Sequence, residues 1–115
     1  SAPIQLTPAL ETIQSKSVLI KQIRQALQEG FGEDLASLRG NVSLITQILI
    51  SIESLKYPLQ TPEEKRQLFI DIYRSTFGVI DPNLEMKMLE SIVVHLYEQG
   101  LVYRRTRVGN FIRAV

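Results

Sequence analysis

The sequence contains no cysteine and only one histidine. The missing cysteines exclude a disulfide framework, a zinc ribbon, an iron–sulfur cluster and a thiol nucleophile, because each of these needs cysteine sulfur. Any serine–histidine pair or histidine-based metal site would have to be built around His95 alone. His95 lies one position off the apolar stripe of a predicted helix, where a surface histidine is expected. We therefore expect no cofactor, no metal and no catalytic residue, and a protein that is not an enzyme.

A long hydrophobic run is also missing. The most apolar stretch, residues 42–55, spans only about three to four helical turns. It is interrupted by five polar side chains: Ser43, Thr46, Gln47, Ser51 and Glu53. Such a stretch is too short and too polar to cross a bilayer, so no membrane insertion is expected. The first residues lack the basic start and apolar run of a signal peptide. We expect a location in the cytoplasm, or in a particle assembled there.

Composition is otherwise that of an ordinary globular chain. The 115 residues are 44% hydrophobic and 22% charged, which fits one domain that buries its own core, so residues 1–115 are predicted to form a single domain. The net charge of +1 conceals an asymmetry. Residues 1–98 carry nine basic and twelve acidic side chains, whereas residues 99–115 carry four arginines and no acid. This basic end either contacts phosphate or an acidic surface, or is a solvated edge.

Turn and capping residues divide the chain into a predicted arm, residues 1–7, and a helical body, residues 8–99. The first helix begins at Thr7-Pro8 and is stopped by Gly30. A short turn or helix follows at residues 33–38, and Asn41 caps a helix over residues 42–56. Thr61-Pro62 with Glu64 forms a capping box for a helix over 62–77. Asp81-Pro82 starts the last helix, which ends near Gln99.

The final residues change to a period of two. Residues 101–106 and 112–115 alternate between apolar and polar, with Gly109-Asn110 suited to the turn between them. This pattern predicts a β-hairpin over residues 101–115 that packs on the helices. The predicted fold class is mainly α, a compact bundle of four to five helices with a C-terminal β-hairpin.

One passage, residues 87–105, resembles a known family. An amphipathic helix that ends in Gln-Gly-Leu-Val-Tyr-Arg-Arg, followed by a glycine turn and a returning strand, is similar to the recognition helix and wing of winged-helix domains. The resemblance covers residues 42–115. It implies an interface in which the helix enters the DNA major groove and the basic hairpin holds phosphates, formed by Asn83, Lys87, Ser91, Arg104, Arg105, Arg107 and Arg113. A fainter resemblance, in Ile52-Glu53 and Glu64-Lys65-Arg66, is to small helical proteins of phages and large viruses.

Two functions therefore remain open. The preferred one is a non-enzymatic structural or assembly protein that acts through protein–protein contacts, as a small component of a larger complex or virus particle. Its partner would be another protein or a second copy of the chain, and no small-molecule substrate is expected. The interface candidates are the aromatic residues Phe31, Tyr57, Phe77, Tyr97 and Tyr103. The alternative is a winged-helix nucleic-acid-binding protein that uses the basic C-terminal hairpin.

Overall fold

The structure, a computed structural model, describes residues 8–32, 34–55 and 61–104. It contains four α-helices joined by short connections, and a single turn of 3-10 helix, Leu35–Leu38, follows the first of them. The α-helices are α1 (Pro8–Phe31), α2 (Val42–Glu53), α3 (Pro62–Phe77) and α4 (Glu85–Glu98). The prediction of a mainly helical chain is thus confirmed for the described residues.

The starts of α2 and α3 follow from local capping chemistry. The Asn41 side chain accepts a hydrogen bond from the backbone N–H of Leu44 at 3.0 Å. The Thr61 hydroxyl oxygen accepts one from the N–H of Glu64 at 3.1 Å and donates to the Glu64 carboxylate at 2.8 Å. Each cap satisfies a backbone donor that the first helical turn leaves without a partner. The bounds predicted for α3 are confirmed at both ends.

The glycine that ends α1 is not the predicted one. The helix continues through Gly30 to Phe31, and Gly32 takes the positive φ of +69° that leaves the helical path. The N–H of Gly32 still donates to the Gln28 carbonyl at 2.8 Å, which completes the last turn. Glycine is required at residue 32, because a side chain at that positive φ is strained. Gly30 lies within the helix and carries no such requirement.

The start of α4 was also predicted too early. Residues 82–84 form a turn, and the helix begins at Glu85. The Asp81 carboxylate accepts hydrogen bonds from the N–H groups of Asn83 at 2.8 Å and Leu84 at 3.4 Å. Aspartate bonded to the backbone two residues later stabilises a turn in place of the first helical turn.

The core lies where α2 and α3 pack against each other, covered by α1 and α4. Fully buried side chains come from three helices, namely Leu44, Ile45 and Ile48 of α2, Leu68, Ile72 and Tyr73 of α3, and Leu89 and Leu96 of α4. Ile23 and Leu27 of α1 complete the cluster from the other side. Apolar positions at helical spacing therefore form a continuous core, as the hydrophobic periodicity predicts.

The predicted C-terminal β-hairpin is wrong for the part of the chain that the structure describes, because residues 8–32, 34–55 and 61–104 contain no strand. Gly100 has a φ of +72°, and the N–H groups of Leu101 and Val102 both donate to the Leu96 carbonyl, at 3.0 and 3.2 Å. This is a Schellman-type helix end, and Val102 is buried against the core. The amides that a strand would need are used to close α4. The rest of the predicted hairpin, residues 105–115, and the predicted arm, residues 1–7, lie outside the described residues.

Arg39 joins the start of α2 to the loop between α3 and α4. Its guanidinium forms two hydrogen bonds with the Glu85 carboxylate, both 2.6 Å long, and donates to the carbonyls of Phe77 at 2.9 Å and Val79 at 2.6 Å. The Tyr73 hydroxyl accepts from the N–H of Gly40 at 3.0 Å and lies 3.3 Å from the same carboxylate. We call this cluster the Arg39 clasp. It fixes the loop that precedes α4.

The cap of α3 can be tested by Thr61→Ala. Removal of the hydroxyl leaves the N–H of Glu64 without its side-chain acceptor, so the free energy of unfolding should fall by about 0.5–2 kcal/mol in urea denaturation. Ser91→Ala, at an exposed position inside α4, is the control and should change it far less. Equal losses for the two variants would contradict the capping role.

The Arg39 clasp predicts a pH dependence of stability. The guanidinium of Arg39 lowers the pKa of the Glu85 carboxyl below its ordinary value of 4.5. Because the folded state holds the ionised form, this contribution is present above pH 4.5 and is lost as the pH falls through the lowered pKa. The difference in unfolding free energy between wild type and Glu85→Gln should therefore be larger at pH 7 than near pH 3. A difference that stays constant with pH would contradict the ion pair.

Candidate functional site

An apolar groove lies between the C-terminal half of α2, the N-terminal half of α3 and the C-terminal half of α4. Each helix contributes residues three and four positions apart, the spacing that puts side chains on one face. The lining consists of Leu49, Ile52 and Glu53 of α2, Pro62, Lys65, Arg66 and Phe69 of α3, Glu90, Val93, Val94 and Tyr97 of α4, and Arg104. The groove encloses about 360 Å³.

The floor of the groove is part of the hydrophobic core. Leu49, Ile52 and Phe69 are buried, whereas Val93 is half-buried and packs against the core from α4. Val94 is 51% exposed at the edge. The groove therefore offers a solvent-accessible apolar surface whose shape is set by residues that cannot move without disturbing the core.

A buried carboxylate lies in the lining of the groove. Glu53 is only 6% exposed, and it is the one charged residue of α2. Lys65 of α3 contacts one of its oxygens, with an Nζ–Oε1 distance of 2.8 Å. Tyr97 of α4 donates its hydroxyl to the other, with an O–Oε2 distance of 2.6 Å. We call these three residues the Glu53 cluster. Each comes from a different helix, so the cluster connects all three walls.

Tyr97 also contacts the last described residue. The guanidinium of Arg104 lies over the Tyr97 ring, 4.9 Å from its centroid, in a cation–π arrangement. Burial raises the pKa of the Tyr97 phenol above its usual value, and the hydrogen bond that it donates to the Glu53 carboxylate raises it further. The phenol is therefore a hydrogen-bond donor at every physiological pH, with its ring at the groove and its hydroxyl in the cluster.

A second ion pair stands on the rim. The Arg66 guanidinium of α3 contacts the Glu90 carboxylate of α4 at 2.5 Å, and both side chains are about half exposed. This ion pair joins α3 to α4, and the Glu53–Lys65 ion pair joins α2 to α3. The two ion pairs hold four of the five charged residues of the lining to one another, and Arg104 is the fifth.

The residues predicted to contact DNA that the structure describes lie on α4 or next to its two ends. Asn83 lies in the turn before α4, Lys87 and Ser91 are exposed on α4, and Arg104 lies at the groove. Arg105, Arg107 and Arg113 are outside the described residues. The DNA contacts that the winged-helix resemblance implies stay a prediction.

The aromatic interface candidates have different surroundings. Phe31 and Phe77 are half-buried and pack against the core, with the Phe77 ring 4.5 Å from that of Tyr73. Tyr97 lines the groove, and Tyr103 is exposed. Tyr57 lies outside the described residues. Of the four candidates that the structure describes, only Tyr97 lines the groove.

The sequence interpretation assigned no role to the pairing of Glu53 with Lys65. A signal for it exists, because Glu53 is a lone acid at the end of an otherwise uncharged, apolar helix, four residues after Leu49 on the same face. A carboxylate on a buried face needs a cation or donors nearby. Which cation supplies them depends on how α3 packs on α2, and helix periodicity does not contain that information.

No family model, curated protein sequence or solved structure matches the chain. Within the described ranges, no group of three or more histidine, cysteine or carboxylate side chains is placed to hold a metal ion. None of the described helices combines the length and the apolar character that crossing a membrane requires.

The energetic role of the buried carboxylate can be tested with two glutamates of the same groove. Glu53→Ala removes the carboxylate partner of a nearly buried lysine and should lower the free energy of unfolding by about 3–5 kcal/mol. Glu90→Ala breaks the exposed pair and should cost about 0–1 kcal/mol. The double variant Glu53→Leu, Lys65→Met should recover much of the loss, since it leaves no buried charge. Equal effects of the two single variants in urea denaturation would contradict this assignment.

Proposed function

We propose that this protein is a non-enzymatic protein-interaction module that binds an apolar segment of a partner protein in the groove between α2, α3 and α4. One observation carries the proposal. Three helices turn apolar side chains towards the same open volume of about 360 Å³, while the charged residues beside them are bonded mostly to one another.

The chemistry of the groove favours an apolar ligand over a polar one. A polar ligand would have to compete with the bonds that Glu53, Lys65 and Tyr97 already make with each other. An apolar side chain does not have to replace these hydrogen bonds. Its transfer out of water is favourable by itself, by about 25 cal/mol per Å² of buried apolar surface. The available binding energy therefore comes from apolar burial at Val93, Val94 and the Tyr97 ring.

The shape of the groove favours a protein segment. Its walls are helix faces with side chains at i, i+3, i+4 and i+7, and a groove of that kind accepts the apolar side of an amphipathic helix or a short apolar loop. An apolar centre with a charged rim is also the usual arrangement of protein–protein interfaces. Arg66, Glu90 and Arg104 supply that rim here.

This function makes the protein a component of a larger assembly, as the preferred sequence interpretation expects. The partner is another protein or a second copy of the chain. We place the assembly in the cytoplasm or in a particle formed there, which the absence of cysteine supports, since disulfide-free chains are the norm in reducing compartments.

The proposal can be tested with a displayed library of randomised 15-residue peptides. The wild-type protein should select peptides with apolar residues at helical spacing. Val94→Glu should lower the affinity for a selected peptide by about tenfold or more, because the charge at the groove edge must be desolvated on binding. Val18→Glu is the matched control, because Val18 lies on α1 and is 51% exposed, like Val94. The affinity of Val18→Glu for the selected peptide should equal that of wild type.

Two results would contradict the proposal. One is that no peptide is enriched above a non-binding reference protein. The other is that the selected peptides bind Val94→Glu as tightly as wild type, which would place their site outside the groove.

A further inference from the structure

The loop between α3 and α4, residues 78–84, carries the two most exposed large apolar side chains of the described residues. Val79 is 82% exposed and Leu84 is 77% exposed. The next values are 69% for Tyr103 and 58% for Leu101, both just after α4, and the other exposed large apolar residues of the described chain lie on helices. Two such side chains on one short loop make this loop a candidate interaction surface.

This loop is held rigidly in place. Ile80, between the two exposed side chains, is buried in the core. Arg39 donates to the carbonyls of Phe77 and Val79 while it is bonded to Glu85, so the backbone on both sides of Gly78 is fixed. A loop that is already ordered loses little conformational entropy when it binds, which favours its use as a ligand.

We infer that the segment that occupies the groove is this loop from a second copy of the chain, an inference that rests on the function proposed for the groove. Charge supports the pairing. The loop has one charged residue, the exposed Asp81. On the groove, Lys65 and Arg66 are paired with Glu53 and Glu90, whereas Arg104 lies over the Tyr97 ring without a carboxylate partner among the described residues. When the loop of the second copy occupies the groove, its Asp81 and the Arg104 of the groove have complementary charges.

The positions of loop and groove make the contact intermolecular. The groove uses the N-terminal half of α3 and the C-terminal half of α4, whereas the loop joins the other ends of the same two helices. Between Phe69 and Gly78, α3 rises by about 13 Å. The loop therefore cannot reach the groove of its own chain. Each copy offers one loop and one groove, so copies join either reciprocally in a two-fold dimer or head to tail in a larger ring or an open filament.

The experiment compares the wild type and four variants by sedimentation velocity over a range of concentrations. Leu84→Asp places a charge on the loop, Val94→Asp places one in the groove, and Val18→Asp is the control with equal exposure on α1. Wild type and Val18→Asp should form species larger than a monomer as concentration rises. Leu84→Asp and Val94→Asp should each remain monomers. Val79→Asp is a second loop variant and should also remain a monomer.

A mixture of Leu84→Asp and Val94→Asp tests whether the loop binds the groove. Leu84→Asp keeps its groove and Val94→Asp keeps its loop, so an equimolar mixture has one intact contact per pair. The mixture should form a heterodimer with twice the monomer mass, and nothing larger. This result also shows that both variants are folded. Asp81→Asn should weaken self-association of the otherwise unchanged chain by about two- to fivefold at low salt, and the difference should vanish at high salt.

The failures are distinguishable. A wild type that stays monomeric at the highest attainable concentration overturns the inference, and so does a mixture of the two variants that stays monomeric. Self-association that is lost in Val94→Asp but kept in both loop variants rejects the loop as occupant and leaves the groove as the binding site. Association that none of these variants changes overturns the inference, and the peptide selection alone then decides the function of the groove.

Discussion

The arrangement of α2, α3 and α4 depends on one buried carboxylate. Glu53 is almost completely removed from water, so its charge is tolerated only while donors occupy its oxygens. Lys65 and Tyr97 supply them from two other helices. Apolar packing shapes the floor of the groove, and the directional hydrogen bonds of the Glu53 cluster add contacts that only one relative placement of the three helices satisfies.

A second polar cluster acts at the opposite end of the α3–α4 hairpin. The Arg39 clasp bonds the start of α2 to Glu85 and to the carbonyls of the loop. Between the two clusters the helices pack through apolar residues such as Leu68, Ile72 and Leu89. Each polar cluster thus lies beside one of the two apolar surfaces that remain exposed, the groove and the loop. Both surfaces are shaped before any partner arrives, which lowers the entropic cost of binding.

This arrangement is the basis for proposing a role in assembly rather than in recognition of a polar ligand. The charges of the groove lining are mostly satisfied within the chain, and the surface that remains is apolar. In the proposed assembly each copy offers one groove and one loop, so joined copies form either a reciprocal pair or a series that repeats head to tail. The angle between successive copies decides whether such a series closes.

Local signals in the sequence determined most of the helices. The side chains of Asn41 and Thr61 cap helices within three residues of themselves, and apolar periodicity marked the faces that α2 and α3 bury. The predicted hairpin failed because alternation over residues 101–104 competes with the helix end at Gly100, where the Leu96 carbonyl takes the amides that a strand needs. The Glu53 cluster and the groove depended on tertiary structure. Their residues are far apart in sequence, and only the packing of three helices decides which donor meets a buried charge.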